Sequence, residues 1–375
     1  MPSIQSAYQQ AILDARRLYL TELLPDVLEA LVMEYASMID LIARDMARGT
    51  ITAQRADQLY LSILDRLEEL AIRLGATYDE AALAAMQLAI AGHQNGIAVA
   101  GDLAGRTVAA SFATIPQQVV ETMMLRRGFG VATTFRTLIN RNIERLAGEV
   151  DAYLTSAVAR GVSGRRGSIE LAQILARDDR AVAAVLKTFN GSLSRAMRAG
   201  VPEDIVTRGR SLLFDARRIM VTETNTAYFE ADRAAAVESP VVDLVFWQVS
   251  GRHYGLPSSP DVCTVYHEGD HHGYGPGLFN PQNVPAKPHP FCACYTLPQT
   301  REPGTWDDPK RPIPTPRTAS EGQVERILEG ASKRVEALGG TPRTITEKHL
   351  ERQLNMTNDG LRFADEAARA VEVEV

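Results

Sequence analysis

Cysteine is scarce in this sequence, with three residues among 375. Three thiols cannot all pair, and small secreted domains depend on several disulfides, so the composition excludes a disulfide-held scaffold. The N-terminal stretch MPSIQSAYQQ lacks the basic start and the apolar run of a secretory leader. We therefore expect no signal peptide, and the clustered thiols indicate metal binding more readily than bridging.

Long apolar runs are also missing. The most apolar stretch, residues 81–113, is interrupted by polar side chains at His93, Gln94, Asn95, Asp102 and Arg106. A helix that spans a bilayer needs about 20 predominantly apolar residues, so no membrane span is expected.

An excess of basic charge is absent as well, since 40 Lys and Arg residues face 46 Asp and Glu residues. The net charge of −6 excludes a protein coated in basic surface for nucleic acid. Residues 121–240 differ, with 18 basic and 14 acidic residues that include the pairs Arg126–Arg127, Arg165–Arg166 and Arg217–Arg218. This arginine-rich middle block predicts either a modest patch facing DNA phosphates or ion pairs along helix faces.

Aromatic residues make up only 6% of the chain, whereas alanine and leucine are abundant, which favours helices packed through small side chains. Apolar residues recur near the helical period through roughly the first 200 residues. We expect the first helical run to stop at Gly49 and a second helix to extend from Thr52 to Gly75. Asp79 is expected to cap a third helix.

Two more long helices are predicted downstream, and the amino-acid composition then changes. The helices are expected over residues 133–160 and 202–236, with a Gly/Ser/Arg linker at 162–167. Residues 241–250 (VVDLVFWQVS) are rich in β-branched and aromatic side chains and predict a strand. Residues 251–298 are dense in Gly, Pro, His and Asn, so they are expected to be mostly loop.

The predicted fold class is therefore mainly α. A multi-helix region over residues 1–205 precedes a small α+β, loop-rich Cys/His module over residues 206–300. Residues 301–375 are expected to form a Pro-rich linker and a helical tail.

All three cysteines and five of the seven histidines lie in or beside the loop-rich part of this module. Candidate ligands occur in two groups, Cys263-x3-His267 and His289-x2-Cys292-x-Cys294. Thiolate and imidazole together suit tetrahedral zinc, which would cross-link the two ends of the loop as a structural ion. Zinc has four coordination positions for these five candidate side chains. His289 or one member of the Cys-x-Cys pair would therefore contact the ligands and not the ion. The alternative is a small buried core in which the cysteines act as compact apolar residues.

The remaining histidines give no clear sign of catalysis. His253, His271 and His272 lie in a polar loop and are expected to be exposed, and His93 lies in a helical context without a functional signal. The run Asp270-His271-His272 leaves a metal-dependent nuclease or other DNA-processing protein as the alternative function. No nucleophile elbow or HExxH motif is present, so we predict no enzyme activity and no catalytic residues.

The order of these motifs resembles that of the phage Mu F-type minor head proteins, of the phage head morphogenesis family. The likeness is confined to residues 205–297. It is carried by Thr222, Glu223, Asn225, Ala227, Trp247, Cys263 and the run His289-Pro290-Phe291-Cys292-Ala293-Cys294. Val221 and Ala293 stand where the family usually has arginine, and His267 replaces the second cysteine of the first pair.

The resemblance implies a minor capsid protein of a tailed phage, associated with the portal vertex of the head. It implies a role in head assembly, in DNA packaging or retention, or in ejection. The expected partners are the phage portal protein, other head proteins and, through the arginine-rich middle block, the packaged DNA. The expected location is the virion, with the host cytoplasm as the site of assembly.

Overall fold

A computed structural model of the chain describes residues 2–108, 125–128, 131–176, 184–185, 187, 212–250, 262–287 and 292–307. The architecture is mainly helical with a small antiparallel sheet, which confirms the predicted fold class. The predicted helical tail and the greater part of the Pro-rich linker lie outside the described residues, as do His253 and His289.

Seven α-helices account for the greater part of the described chain. They are α1 (Ile4–Leu18), α2 (Leu24–Ala47), α3 (Ala53–Ala104), α4 (Phe135–Ala159), α5 (Gly164–Ala176), α6 (Leu212–Glu238) and α7 (Val262–Glu268). None of these helices combines the length and the apolar composition that a bilayer crossing requires.

A π-helical turn, Tyr19–Leu23, joins α1 to α2. Ser3 caps α1, because its hydroxyl accepts from the Ser6 amide at 3.1 Å. Pro25 lies in the first turn of α2, just after the π-helical turn. Proline has no amide hydrogen and crowds the carbonyl four residues earlier, so a wider turn just before it relieves that conflict.

Helix α3 has 52 residues and runs through Gly75 and Asp79, so the predicted helix ends at these two positions are wrong. The physical reason is that a single glycine costs a helix only about 1 kcal/mol. The buried face meanwhile continues at helical spacing without a slip, through Leu67, Leu70, Leu74, Tyr78, Ala81, Ala82 and Ala85. The predicted start is correct, since the Thr52 hydroxyl accepts from the Arg55 amide at 3.3 Å.

Helix α5 occupies part of the stretch predicted as a linker over residues 162–167, so that prediction is also wrong. Gly164 is needed there for a close approach, because its amide donates to the Gly49 carbonyl at 2.8 Å. A Cβ at Gly164 would meet the carbonyl oxygens of Met46 and Gly49. The predicted end of the preceding helix near Gly161 is confirmed, with φ of 63° at that glycine.

The described strands form two antiparallel sheets. A hairpin, for which the sequence predicted no strands, pairs β1 (Leu125–Gly128) with β2 (Val131–Thr134). The second sheet has the order β4-β3-β5, from β3 (Val242–Gln248), β4 (Leu278–Phe279) and β5 (Tyr295–Thr300). Strand β3 confirms the prediction for residues 241–250, and α7 adds a helix to the stretch predicted as mostly loop.

The chain divides into two compact units, each assembled from separated segments. One contains residues 21–82, 125–128, 131–176, 184–185, 187 and 212–224 of the described chain. The other, the sheet unit, contains residues 2–20, 83–108, 225–250, 262–287 and 292–307. The sheet unit thus combines α1 and the last part of α3 with much of the predicted 206–300 module. Its core includes Tyr8, Ile12, Phe229, Val245, Trp247, Phe279, Trp306 and the three cysteines.

Candidate metal centre

Cys263, Cys292 and Cys294 form a single buried cluster in the sheet unit. Their sulfur atoms lie within 4.8 Å of one another, and the Cys263 and Cys292 sulfurs are 3.5 Å apart. All three are free thiols. Sulfurs bound to one tetrahedral zinc ion at about 2.3 Å lie about 3.8 Å apart, so the cluster has the spacing of metal ligands. The three cysteines could therefore bind a metal.

Trp247 links the elements that carry these cysteines. It lies on β3 opposite Thr296 of β5, just after the Cys-x-Cys pair, and it is fully buried. Its ring makes edge-to-face contacts with Phe229 of α6 at 5.6 Å and with Tyr266 of α7 at 5.0 Å. Tyr266 lies one helical turn after Cys263, so the indole packs α7 against β3, which pairs with the strand that follows Cys294.

Three consecutive carbonyl groups of the Cys-x-Cys segment accept hydrogen bonds from the side chains of Asn225, Arg16 and Lys287. Asn225 donates to the Cys292 carbonyl, and Arg16 donates to the Ala293 carbonyl at 2.5 Å. Lys287 donates to the Cys294 carbonyl and, at 3.3 Å, to that of Cys292. Because each carbonyl has a fixed donor, the backbone that carries both thiols is held in one conformation.

Two of the thiols are poor acids in this environment. Burial raises the pKa of Cys263 well above its ordinary value, and hydrogen bonds with Cys292 and Cys294 raise that pKa further. The hydrogen bond with Cys263 lowers the pKa of Cys294, but the hydrogen bond with Cys292 and burial outweigh it, raising the pKa to about 12. Cys263 and Cys294 are thus neutral thiols near pH 7 unless a cation binds, because a coordinating thiol loses its proton outright.

His267, predicted as a ligand, is not brought into this cluster. Its Nδ1 donates to the Trp247 carbonyl at 2.7 Å, and its ring packs against Phe246 at 5.0 Å. Its Nε2 lies 3.8 Å from the Glu268 carboxylate. The i, i+4 spacing from Cys263 suggested a ligand pair, but the side chain instead ties α7 to β3. His289, the other predicted imidazole ligand, lies outside the described residues.

His271 and His272 are buried, with 3% and 2% of their surface exposed, so the expectation of exposure is wrong for both. His271 donates from Nε2 to the Val265 carbonyl at 3.0 Å and stacks on Phe279 at 5.5 Å. Burial lowers the pKa of His271 to about 4. Asp270 Oδ1 accepts from the amides of Gly273 at 2.6 Å and Gly275 at 3.2 Å, so this run builds a turn.

A buried polar network beside the core carried no signal in the sequence. His93 donates from Nε2 to Asp232 at 3.0 Å, and the Thr296 hydroxyl donates to the other oxygen of Asp232 at 2.6 Å. The Tyr8 hydroxyl is 2.9 Å from His93 Nδ1 and 3.2 Å from the Ser239 hydroxyl. The network joins α1, α3, α6 and β5, which are far apart in sequence. In the sequence these residues appear merely as polar side chains on otherwise apolar helix faces.

Arg160 and Arg166 of the middle block share one carboxylate partner. Arg166 pairs with Glu170 at 2.6 Å, and Arg160 reaches the same carboxylate at 3.0 Å. These contacts match the expectation of ion pairs along helix faces. Glu230 of α6 likewise pairs with Arg233 at 2.9 Å.

Comparison of the chain with protein-family models, with curated proteins and with solved structures gave no match.

Proposed function

We propose that this protein is a minor structural component of a tailed-phage head, associated with the portal vertex. In this role the sheet unit is a rigid docking module for the portal protein or other head proteins. The arginine-rich middle block is proposed to face packaged DNA. The protein acts in head assembly, in DNA packaging or retention, or in ejection, and it does so without catalysis.

The observation that carries this proposal is the convergence of the motif residues. Asn225, Trp247, Cys263, Cys292 and Cys294 are dispersed over 70 positions of sequence, yet they meet in one buried site. Their order along the chain is what resembles the Mu F-type family. Their convergence supports the view that the resemblance reflects a shared local structure.

We further propose that the cluster binds zinc as a structural ion. Cys263, Cys292 and Cys294 would supply three ligands, and His289 stays the predicted fourth ligand. The bound ion would supply cross-links between α7 and the segment before β5, and these would hold the loop closed. Three buried thiols within 4.8 Å of one another are the observation behind this proposal.

The structural role is tested by mass spectrometry of purified virions and of DNA-free heads from the phage that encodes this chain. We expect the protein in both particles, in few copies, and co-purified with the portal protein. Its absence from assembled heads would contradict the proposal.

Zinc binding is tested by elemental analysis of protein purified without chelators. We expect one zinc ion per chain, retained through gel filtration. Protein that is folded but contains no zinc, and that takes up none when the ion is added, would contradict the metal proposal while leaving the structural role standing.

A further inference from the structure

Two cationic side chains lie at the cysteine cluster. Arg16 of α1 is buried, with 6% of its surface exposed, and its guanidinium lies 4.1 Å from the centre of the Tyr295 ring. The Lys287 ammonium lies 4.8 Å from the centre of the Phe229 ring and donates to the carbonyls of Cys292 and Cys294. Both cations therefore contact the segment that carries two of the thiols.

These cations are poorly balanced by carboxylates. Within the described residues neither one forms an ion pair. Asp232 attracts Arg16 at longer range, but its carboxylate is bonded to His93 and Thr296. A charge that is taken out of water without a partner is destabilising, so this arrangement favours additional negative charge nearby.

A divalent ion with three thiolate ligands carries one net negative charge. Asp232 attracts Arg16 only at longer range, and such a centre would supply a negative charge beside Lys287. A monovalent ion with the same ligands would carry two negative charges and leave an excess of one. Neutral thiols would leave one cation uncompensated. The charges around the cluster therefore match a divalent ion.

We propose that Lys287 is a positioning residue that balances the charge of an anionic centre formed by a divalent ion and three thiolates. This inference rests on the proposed metal binding by Cys263, Cys292 and Cys294. Lys287 fixes the Cys-x-Cys backbone through its two hydrogen bonds, and its charge stabilises the bound state over the metal-free state. The loss of such an outer contact costs metal sites about 10- to 100-fold in affinity.

The test separates the charge of Lys287 from its hydrogen bonds. Cobalt(II) affinity is measured by competition with a chromophoric chelator for the full-length wild type and for Lys287→Met, Lys287→Gln and Lys287→Arg. Glutamine keeps a donor without charge, whereas arginine keeps both. Lys187→Met, which removes an exposed lysine of the other unit, is the matched control.

We expect Lys287→Met and Lys287→Gln to lower cobalt affinity by about 10- to 100-fold, while Lys287→Arg and the control keep wild-type affinity. We also expect the thiolate-to-cobalt charge-transfer band to shift in the glutamine variant, which a purely structural role would not produce. Wild-type affinity in Lys287→Gln would overturn the charge-balancing role alone. Failure of the wild type to bind cobalt would overturn the metal centre and this inference together. If Lys287→Met does not fold, the glutamine and arginine variants decide the outcome.

Discussion

At the scale of single residues, the imidazole nearest in sequence to the first cysteine has a structural role. His267 donates a hydrogen bond to the Trp247 carbonyl, whereas Cys263 lies beside the other two thiols. Two residues one helical turn apart on α7 therefore have different partners. The difference can be measured, because only one of them should contribute to metal binding.

Cys263→Ser should lower cobalt affinity by more than about 100-fold, since losing a ligand costs more than losing an outer contact. His267→Ala should leave both the affinity and the intensity of the thiolate charge-transfer band unchanged. The measurement is the same chelator competition with full-length protein. Equal losses in the two variants would restore His267 as a ligand and refute the assignment made from the geometry.

The buried His271 should make stability depend on pH. Its pKa is lowered from 6.5 to about 4, so the unfolded chain binds more protons than the folded chain between these values. The free energy of unfolding should therefore fall as pH drops from 6.5 towards 4, by at most about 1.4 kcal/mol per pH unit from this group. Urea unfolding of wild type and His271→Phe measures the difference, because phenylalanine keeps a ring against Phe279 but does not titrate. Parallel pH profiles for the two proteins would contradict the assignment.

At the scale of elements, the sequence predicted where helices exist better than where they end. The apolar period correctly predicted the helical run that ends at Gly49, and the β-branched and aromatic residues correctly predicted β3, because both signals are local. The predictions at two glycines are wrong. Gly75 lies inside a helix that was expected to end there, and Gly164 begins a helix where a linker was expected. A glycine that permits close packing and a glycine that ends a helix look alike in sequence, since the distinction depends on what contacts the missing Cβ.

Two helical glycines provide a matched test of this distinction. Gly164→Ala should destabilise the protein by about 1–3 kcal/mol, because a Cβ there meets the carbonyls of Met46 and Gly49. Gly148→Ala in α4 should instead stabilise by about 0.5–1 kcal/mol, because nothing lies within 4 Å of its Cβ and alanine favours the helix. Chemical denaturation of both variants measures the two shifts. Stabilisation by both substitutions would show that helix propensity, rather than packing, governs position 164.

At the scale of the whole molecule, the sheet unit is assembled from residues at opposite ends of the chain. Gln5 of α1 donates to the Pro298 carbonyl at 2.8 Å and accepts from the Thr300 amide at 2.5 Å. Gln9 adds a second bond to the Pro298 carbonyl at 3.0 Å. Side-chain amides of α1 thereby occupy backbone groups of β5, which lies at an edge of its sheet.

The buried network around Asp232 should contribute to the stability of the whole sheet unit. Asp232→Ala would leave two buried donors, on His93 and Thr296, without their acceptor, so we expect a loss of about 2–6 kcal/mol. Glu230→Ala, on the same helix, removes only the partly exposed pair with Arg233 and should cost less than about 1 kcal/mol. Urea unfolding followed by tryptophan fluorescence reports on this unit, where both tryptophans are buried. Equal losses would mean that the network contributes no more than a surface ion pair.

The sequence by itself determined the mainly helical class and strand β3, and it named the three cysteines among five candidate ligands. Each of these depends on local periodicity or on residue type, which can be read without knowing the fold. Only the tertiary structure decided that His267 lies outside the cluster, that His271 and His272 are buried, and that His93 joins Asp232. It also brought Arg16 and Lys287 to the Cys-x-Cys segment. These contacts join residues far apart along the chain, and the burial that gives them their energy exists only once α1, α3, α6 and the sheet have packed.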